Sequence, residues 1–201
     1  MTRIYFIIIL LISTLSFAQK KELRKAQKLF SEGKIDESLK MLEESNALFD
    51  TADDKTLASY SLLLAKIARS NSEFQKTFDF LSAVKNSPSV KSDVAIELNE
   101  LTNDLINSAI KDSEKKEYSA SAEKLFLAYS ISPETNSDYL YFAASGAVNA
   151  NDFDLALEYY LMLEKINYQG VVTKYYVTEL ESGNEIEVQR SEYDLYKKTK
   201  Q

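Results

Sequence analysis

The sequence predicts an all-α protein of antiparallel helix pairs stacked one on the next, with a small β-hairpin near its C-terminal end. Three observations carry that expectation. Four segments repeat one layout: an apolar-periodic stretch, a short polar turn, a bulky residue and a second periodic stretch. Only four Gly and two Pro stand among 201 residues rich in Leu, Ala, Glu, Lys and Ser, which favours helix. After Gly170 the chain turns to β-branched and aromatic residues, a strand composition.

The first segment reads as an export signal. In residues 1–18 Arg3 supplies a positive start, Ile4–Ile12 an unbroken apolar run, and Ser16-Phe17-Ala18 a small-x-small end, so cleavage is expected after Ala18. A membrane span needs about 20 apolar residues, and Ser13, Thr14 and Ser16 interrupt the run too early. No second apolar stretch follows, and without Cys a lipid-modified N-terminus of the bacterial lipoprotein kind is excluded. The expected mature chain starts at Gln19, has no transmembrane segment and carries a net charge of −8, one below the −7 of the full chain.

Residues 19–168 hold about four expected helix pairs. Their turns are Ser31-Glu32-Gly33-Lys34, Asn71-Ser72-Glu73, Lys116-Glu117 and Asn151-Asp152, and each is followed by a residue bulky enough to plug the corner between two helices. These plugs, Ile35, Phe74, Tyr118 and Phe153, are 39, 44 and 35 residues apart. Small residues recur where helices must approach, as in Ala143, Ala144, Gly146, Ala147 and Ala156, and Pro133 ends the helix before it. From Leu155 to Ile166 apolar residues fall at i, i+3 and i+4, a buried face. Helices this short do not persist alone in water, so they are expected to stack.

These residues resemble the tetratricopeptide repeat (TPR) family, whose unit of about 34 residues sets small, aromatic and proline sites at fixed places. In the segment Ser137–Tyr168, Ala144, Phe153, Ala156 and Tyr160 occupy such sites, while Leu163 and Tyr168 depart from the pattern. The preceding unit matches at Ala109, Tyr118, Ala128 and Pro133 and departs at Ser121 and Leu125. The second matches at Ala65 and Phe74, with Thr77, Leu81 and Val84 as departures; the first matches at Ala26, Ile35 and Leu42, with Ser38 and Ser45 at small sites. The resemblance implies an α-solenoid coiled into a right-handed superhelix, and it is greatest to the exported TPR proteins of Gram-negative bacteria.

Residues 169–201 are expected to form the hairpin and a short helical tail, with further repeats following in a longer protein. Val171–Thr178 and Glu185–Gln189 read as strands around a turn at Ser182-Gly183-Asn184, with Ser191–Tyr196 starting a helix before a basic end. Alternation puts Val171, Thr173, Tyr175 and Val177 on the more apolar face. That face is expected to pack on the last repeat helix near Leu161 and Ile166, so that the hairpin either closes the solenoid as a structural cap or leaves Tyr176 free for docking.

The composition excludes much chemistry. Without His or Cys there is no Cys/His zinc site, no Ser-His-Asp or Cys-His nucleophile machinery and no disulfide scaffold. An acidic balance, 31 Asp+Glu against 24 Lys+Arg, argues against a grip on nucleic-acid phosphates. No phosphate-cradling glycine motif occurs. The acidic pairs Asp53-Asp54, Glu43-Glu44 and Glu97 with Glu100 read as solvated helix faces or first turns. Asn149–Asp154 reads as a helix–helix turn, since a calcium loop would need Gly where Asp154 stands and Glu where Tyr160 stands. No catalytic residue, cofactor or metal is expected.

The expected function is therefore non-enzymatic: a protein-interaction scaffold of the cell envelope, in the periplasm, at the outer membrane or secreted. By the resemblance, the concave face made by the first helix of each pair binds the partner. It is expected to present Lys66 and Arg69, Ile106 and Ile110, and Tyr141, Ser145 and Asn149, with Tyr176 on the hairpin as a further contact. Lys66 and Arg69 share a helix face and could hold a peptide carboxylate. The alternative is a glycan- or solute-binding helical protein that stacks ligands on exposed tyrosines; the tyrosines are otherwise expected mostly in the repeat core.

Overall fold

The computed structural model of the chain describes residues 2–170, 173–180 and 183–199, and for residues 2–15 the backbone only. Most of these residues are helical. Among the described residues the elements are α1 (Thr2–Ser31), α2 (Ile35–Glu44), α3 (Asn46–Phe49), α4 (Asp54–Ser70), α5 (Phe74–Val84), α6 (Lys91–Glu114), α7 (Tyr118–Ile131), α8 (Ser137–Asn149), α9 (Phe153–Lys165), strands β1 (Tyr175–Thr178) and β2 (Glu185–Val188), and α10 (Arg190–Thr199). The successive pairs α1–α2, α4–α5, α6–α7 and α8–α9 pack together, and α5–α6 and α7–α8 join pair to pair.

One turn geometry makes all four corners. Ile35, Phe74, Tyr118 and Phe153 are the first residues of α2, α5, α7 and α9. Two residues before each plug the backbone is left-handed, with φ of +78° at Gly33, +58° at Ser72, +66° at Lys116 and +61° at Asn151. The next N–H, of Lys34, Glu73, Glu117 or Asp152, donates to the carbonyl oxygen five residues back, at Leu29, Ala68, Asp112 or Ala147, over 3.0, 2.9, 2.8 and 3.0 Å. That bond satisfies a carbonyl orphaned at the helix end and reverses the chain in about three residues.

Each pair is held close by small residues. Ala26, Ala65, Ala109 and Ala144 are buried on the first helices, and Ser38, Thr77, Ser121 and Ala156 are buried on the second. Ser38 and Thr77 stay satisfied by donating to the backbone, Ser38 Oγ to the Ala26 oxygen at 2.8 Å and Thr77 Oγ1 to the Glu73 oxygen at 3.0 Å. A hydroxyl with a carbonyl partner is as easily buried there as a methyl group. The uneven early spacing of the plugs also has a cause. The short α3 is inserted between the first two pairs, its Phe49 ring stacked on Tyr60 at 4.2 Å, and α6 runs to 24 residues.

The N-terminal helix is continuous across Ala18 and Gln19. Gln19 is buried, and its Nε2 donates to the Leu48 oxygen at 2.7 Å. Of the tyrosines expected mostly in the core, Tyr159 is buried, while Tyr139, Tyr168 and Tyr175 are half-buried and Tyr141, Tyr160 and Tyr176 exposed.

The C-terminal hairpin forms with Tyr175 opposite Val188 and Val177 opposite Ile186. Val171, Val172, Ser182 and Lys200 of the expected segment lie outside the described residues. The faces alternate as expected, Tyr175 and Val177 half-buried and Tyr176 and Thr178 exposed. Their packing partner differs. Leu161 and Ile166 remain 54% and 43% exposed, and the Tyr175 ring instead meets Tyr193 of α10 with centroids 5.1 Å apart. Only a few residues separate β2 from Tyr193, so this contact closes at little entropic cost.

Candidate functional site

The site is best built from α6 and α8. Leu101, Leu105 and Ala109 of α6 are buried and face the core, which turns Ile106 and Ile110 away from it, Ile110 being 52% exposed. On α8, Leu140, Ala143, Ala144 and Ala147 are buried. Gly146 brings this helix against α7: a Cβ on it would lie 3.2 Å from the Ala122 Cβ. Phe142, Ser145 and Asn149 are thereby set across from Ile106 and Ile110, and between them lies a groove of about 410 Å³. Leu125 and Tyr139 complete its apolar wall, and Ser113 and Ser121 place hydroxyls along it. Among the described residues, no Lys, Arg, Asp or Glu lines it. Such a surface can take an apolar side chain and offer hydrogen bonds to a neighbouring backbone.

The other flank of α6 is charged. Arg69 of α4 donates from Nε to Glu97 Oε2 at 3.0 Å and from Nη1 to Asp104 Oδ2 at 2.9 Å, with Glu100 Oε2 3.9 Å away. Lys66 Nζ lies 3.5 Å from Glu97 Oε1. Burial opposes the charge on Arg69, but hydrogen bonding and attraction from Asp104 and Glu97 outweigh it and raise its pKa above the ordinary value. A second link, Lys124 to Ser108 at 2.8 Å and to the buried Asp112, ties α6 to α7.

Of the residues expected to bind a partner, the structure gathers Ile106, Ile110, Ser145 and Asn149 into one groove. It sets Lys66 and Arg69 against carboxylates of their own chain, so the anion expected from a peptide is already supplied from α6. Tyr141 and Tyr176 do not line the groove. Tyr141 sits among the rings of Phe142 and Tyr168, at 5.7 and 5.9 Å, and the Tyr176 hydroxyl reaches Glu187 at 3.4 Å. Sequence reading missed Phe142, Leu125 and Tyr139, whose part in the groove depends on how α7 and α8 are rotated. It also missed Asp104, although Glu97, Glu100 and Asp104 at i, i+3 and i+7 mark a single acidic helix face.

Two other regions complete the description. A cavity of about 740 Å³ lies between the α7–α8 turn and the segment after α9, lined by Pro133, Asp138, Tyr168 and Lys174 among others. There Tyr168 donates its hydroxyl to Asp138 at 2.6 Å, and burial and the Asp138 carboxylate push its pKa up. Of the acidic pairs, Glu97 is buried against Arg69 and Lys66 rather than solvated, and Asp53, like Asp152 outside the pairs, caps a helix. Asp53 caps α4 by accepting from the Thr56 N–H at 2.7 Å, and Asp152 caps α9 by accepting from the Leu155 N–H at 3.1 Å. Among the described residues, no helix is long and apolar enough to cross a membrane.

Compared with known protein families and with curated protein sequences, the chain matches no family model and no curated protein.

Proposed function

We propose that this chain is a non-enzymatic protein-interaction scaffold, a TPR-like right-handed α-solenoid exported to the cell envelope, which binds a protein or peptide partner in the α6–α8 groove. The observation that carries the reading is the groove itself: it gathers Ile106, Ile110, Ser145 and Asn149, from the first helices of two successive pairs, around an uncharged, mostly apolar cleft. The recurrence of one left-handed turn at Gly33, Ser72, Lys116 and Asn151 supports the repeat architecture, since stacked identical corners are how such arrays bury a shared core. The export reading rests on residues 1–18, and the non-enzymatic reading on the lack of His and Cys and on a groove that, among the described residues, no Lys, Arg, Asp or Glu lines.

The test is site-specific photocrosslinking in the cells that make the protein. A photoreactive residue at Ile110 or Phe142 should trap a defined partner that is not trapped from Lys76, an exposed position on α5. Equal trapping from all three positions removes the groove from the proposal. Mass spectrometry of the N-terminus tests export: a mature chain starting at Gln19 is expected, and an intact Met1 overturns it. Glycan stacking has no comparable support, because the exposed Tyr141, Tyr160, Tyr176 and Tyr196 stand on four separate elements.

A further inference from the structure

We infer that the partner segment is cationic as well as apolar: a stretch with a bulky apolar side chain for the groove and a Lys or Arg about four residues from it for the acidic flank of α6. The inference rests on the groove reading and narrows it. Lys66 and Arg69 are two cations facing three carboxylates, Glu97, Glu100 and Asp104. Glu97 is consumed in full: its side chain is 9% exposed and is met by Arg69 on one oxygen and Lys66 on the other. Arg69 spends its short contacts on Glu97 and Asp104. Glu100 is left with a single contact at 3.9 Å and a side chain 52% exposed, and Asp104 keeps 40% of its side chain exposed. The surplus charge is therefore negative and accessible, the opposite of a carboxylate clamp.

Placement fixes the spacing. Asp104 and Ile110 are six residues apart on one helix, about 9 Å along its axis at 1.5 Å per residue and about 120° around it at 3.6 residues per turn, so their side-chain ends are about 13 Å apart. An extended peptide covers that in about four residues. The polarity along α6 is fixed as well, because Lys111, Lys115 and Lys116 gather at its C-terminal end with Glu114 and Glu117. A cation on the ligand is thus favoured toward Glu100 and disfavoured toward Lys111. The protein's net charge of −7 adds a long-range attraction of the same sign.

The experiment titrates the full chain by fluorescence anisotropy with three labelled synthetic peptides. The first sets Arg-Lys four residues from Leu-Phe in a Gly/Ser background; one twin carries Glu-Glu in place of Arg-Lys, and the other carries Ser-Ser in place of Leu-Phe. The Arg-Lys/Leu-Phe peptide should bind about tenfold more tightly than its Glu-Glu twin at low ionic strength, an advantage that shrinks as salt screens the exposed carboxylates. Glu100→Lys should reverse the order of the two, and Ile110→Ser should weaken both, with circular dichroism confirming that each variant keeps its helices. If the Glu-Glu peptide binds as well or better and Ile110→Ser still weakens it, the cationic inference is overturned and the groove stands. If neither Ile110→Ser nor Phe142→Ser changes any peptide, the groove reading itself falls. Failure of all three peptides to bind also overturns the inference.

Discussion

Arg69 Nε and Glu97 Oε2 lie 3.0 Å apart, on helices whose residues are 28 positions apart in the chain. Glu97 is nearly buried, so removing Arg69 leaves a carboxylate with only Lys66 at 3.5 Å to balance it. Losing one member of a buried pair costs more than the pair is worth. Arg69→Ala should therefore cost about 1–3 kcal/mol, below the fully buried case because Lys66 remains. Adding Glu97→Gln should recover part of that loss. Urea unfolding of the two single variants and the double variant measures it; strictly additive losses would show that the pair carries no coupling.

The cap at Asp53 gives stability a pH dependence. Hydrogen bonding from Thr56, first through its backbone N–H, and the neighbouring Lys20 lower the Asp53 pKa from 3.8 to about 2. A carboxylate with a lower pKa folded than unfolded contributes stability that is present above about pH 4 and is lost as pH falls toward about 2. Asp53→Asn keeps an acceptor but not the charge. Its deficit against the wild type should be constant near neutral pH and vanish by about pH 2, as read by thermal melts across that range.

Gly146 sits where a Cβ would be 3.2 Å from the Ala122 Cβ. Alanine at this position gains about 1 kcal/mol of helix propensity, against an overpacking cost of about 1–3 kcal/mol. Gly146→Ala should come out destabilising, and Gly146→Val more so. In the Gly146→Ala background, Ala122→Gly should relieve the clash, so that the double variant is more stable than the sum of its parts. Chemical denaturation of all three decides.

The repeated corners predict opposite signs for mirror-image substitutions. Ser72 holds φ at +58° and Gly33 at +78°. An L side chain pays about 1–2 kcal/mol for that conformation and glycine does not. Ser72→Gly should raise stability by about 1 kcal/mol, and Gly33→Ser should lower it by a similar amount. Both are measured by the denaturation midpoint at unchanged slope.

Tyr175 and Tyr193 hold the hairpin to α10. Such an aromatic pair is worth about 0.5–1.5 kcal/mol beyond burial, and the hairpin is not seated on the exposed Leu161 and Ile166. Tyr175→Ala and Tyr193→Ala should therefore release amide-exchange protection in β1, β2 and α10 while leaving the global unfolding of α1–α9 unchanged. Tyr176→Ala should do neither. Loss of protection throughout α8 and α9 would show that the hairpin supports the helices after all.

The local half of this molecule was legible in its residues. Ile35, Phe74, Tyr118 and Phe153 stand at helix starts because a polar turn that can adopt a left-handed residue, followed by a bulky one, is settled within five or six positions of chain, although Phe153, 64% exposed, does not plug its corner. The small residues at Ala26, Ala65, Ala109 and Ala144 are buried for an equally local reason, the 3.6-residue period of the helix that carries them. Thr77 and Ser121 looked like departures from a pattern and Ser38 stood at a small site; all three are buried small residues with backbone acceptors or beside an approaching helix.

By itself, then, the sequence determined the helices, their corners, their buried stripes and the alternation of Tyr175 against Tyr176, because each depends on the period of one element or the chemistry of one turn. The tertiary structure alone decided what those elements meet. Whether Arg69 is free for a ligand depends on the rotation of α6, which delivers Glu97 and Asp104 to it. Whether Ile106 and Phe142 share a groove depends on how closely Gly146 lets α8 approach α7. And Tyr175 found Tyr193 rather than Leu161 because two surfaces of similar apolarity compete for one face, a contest decided by chain connection and geometry.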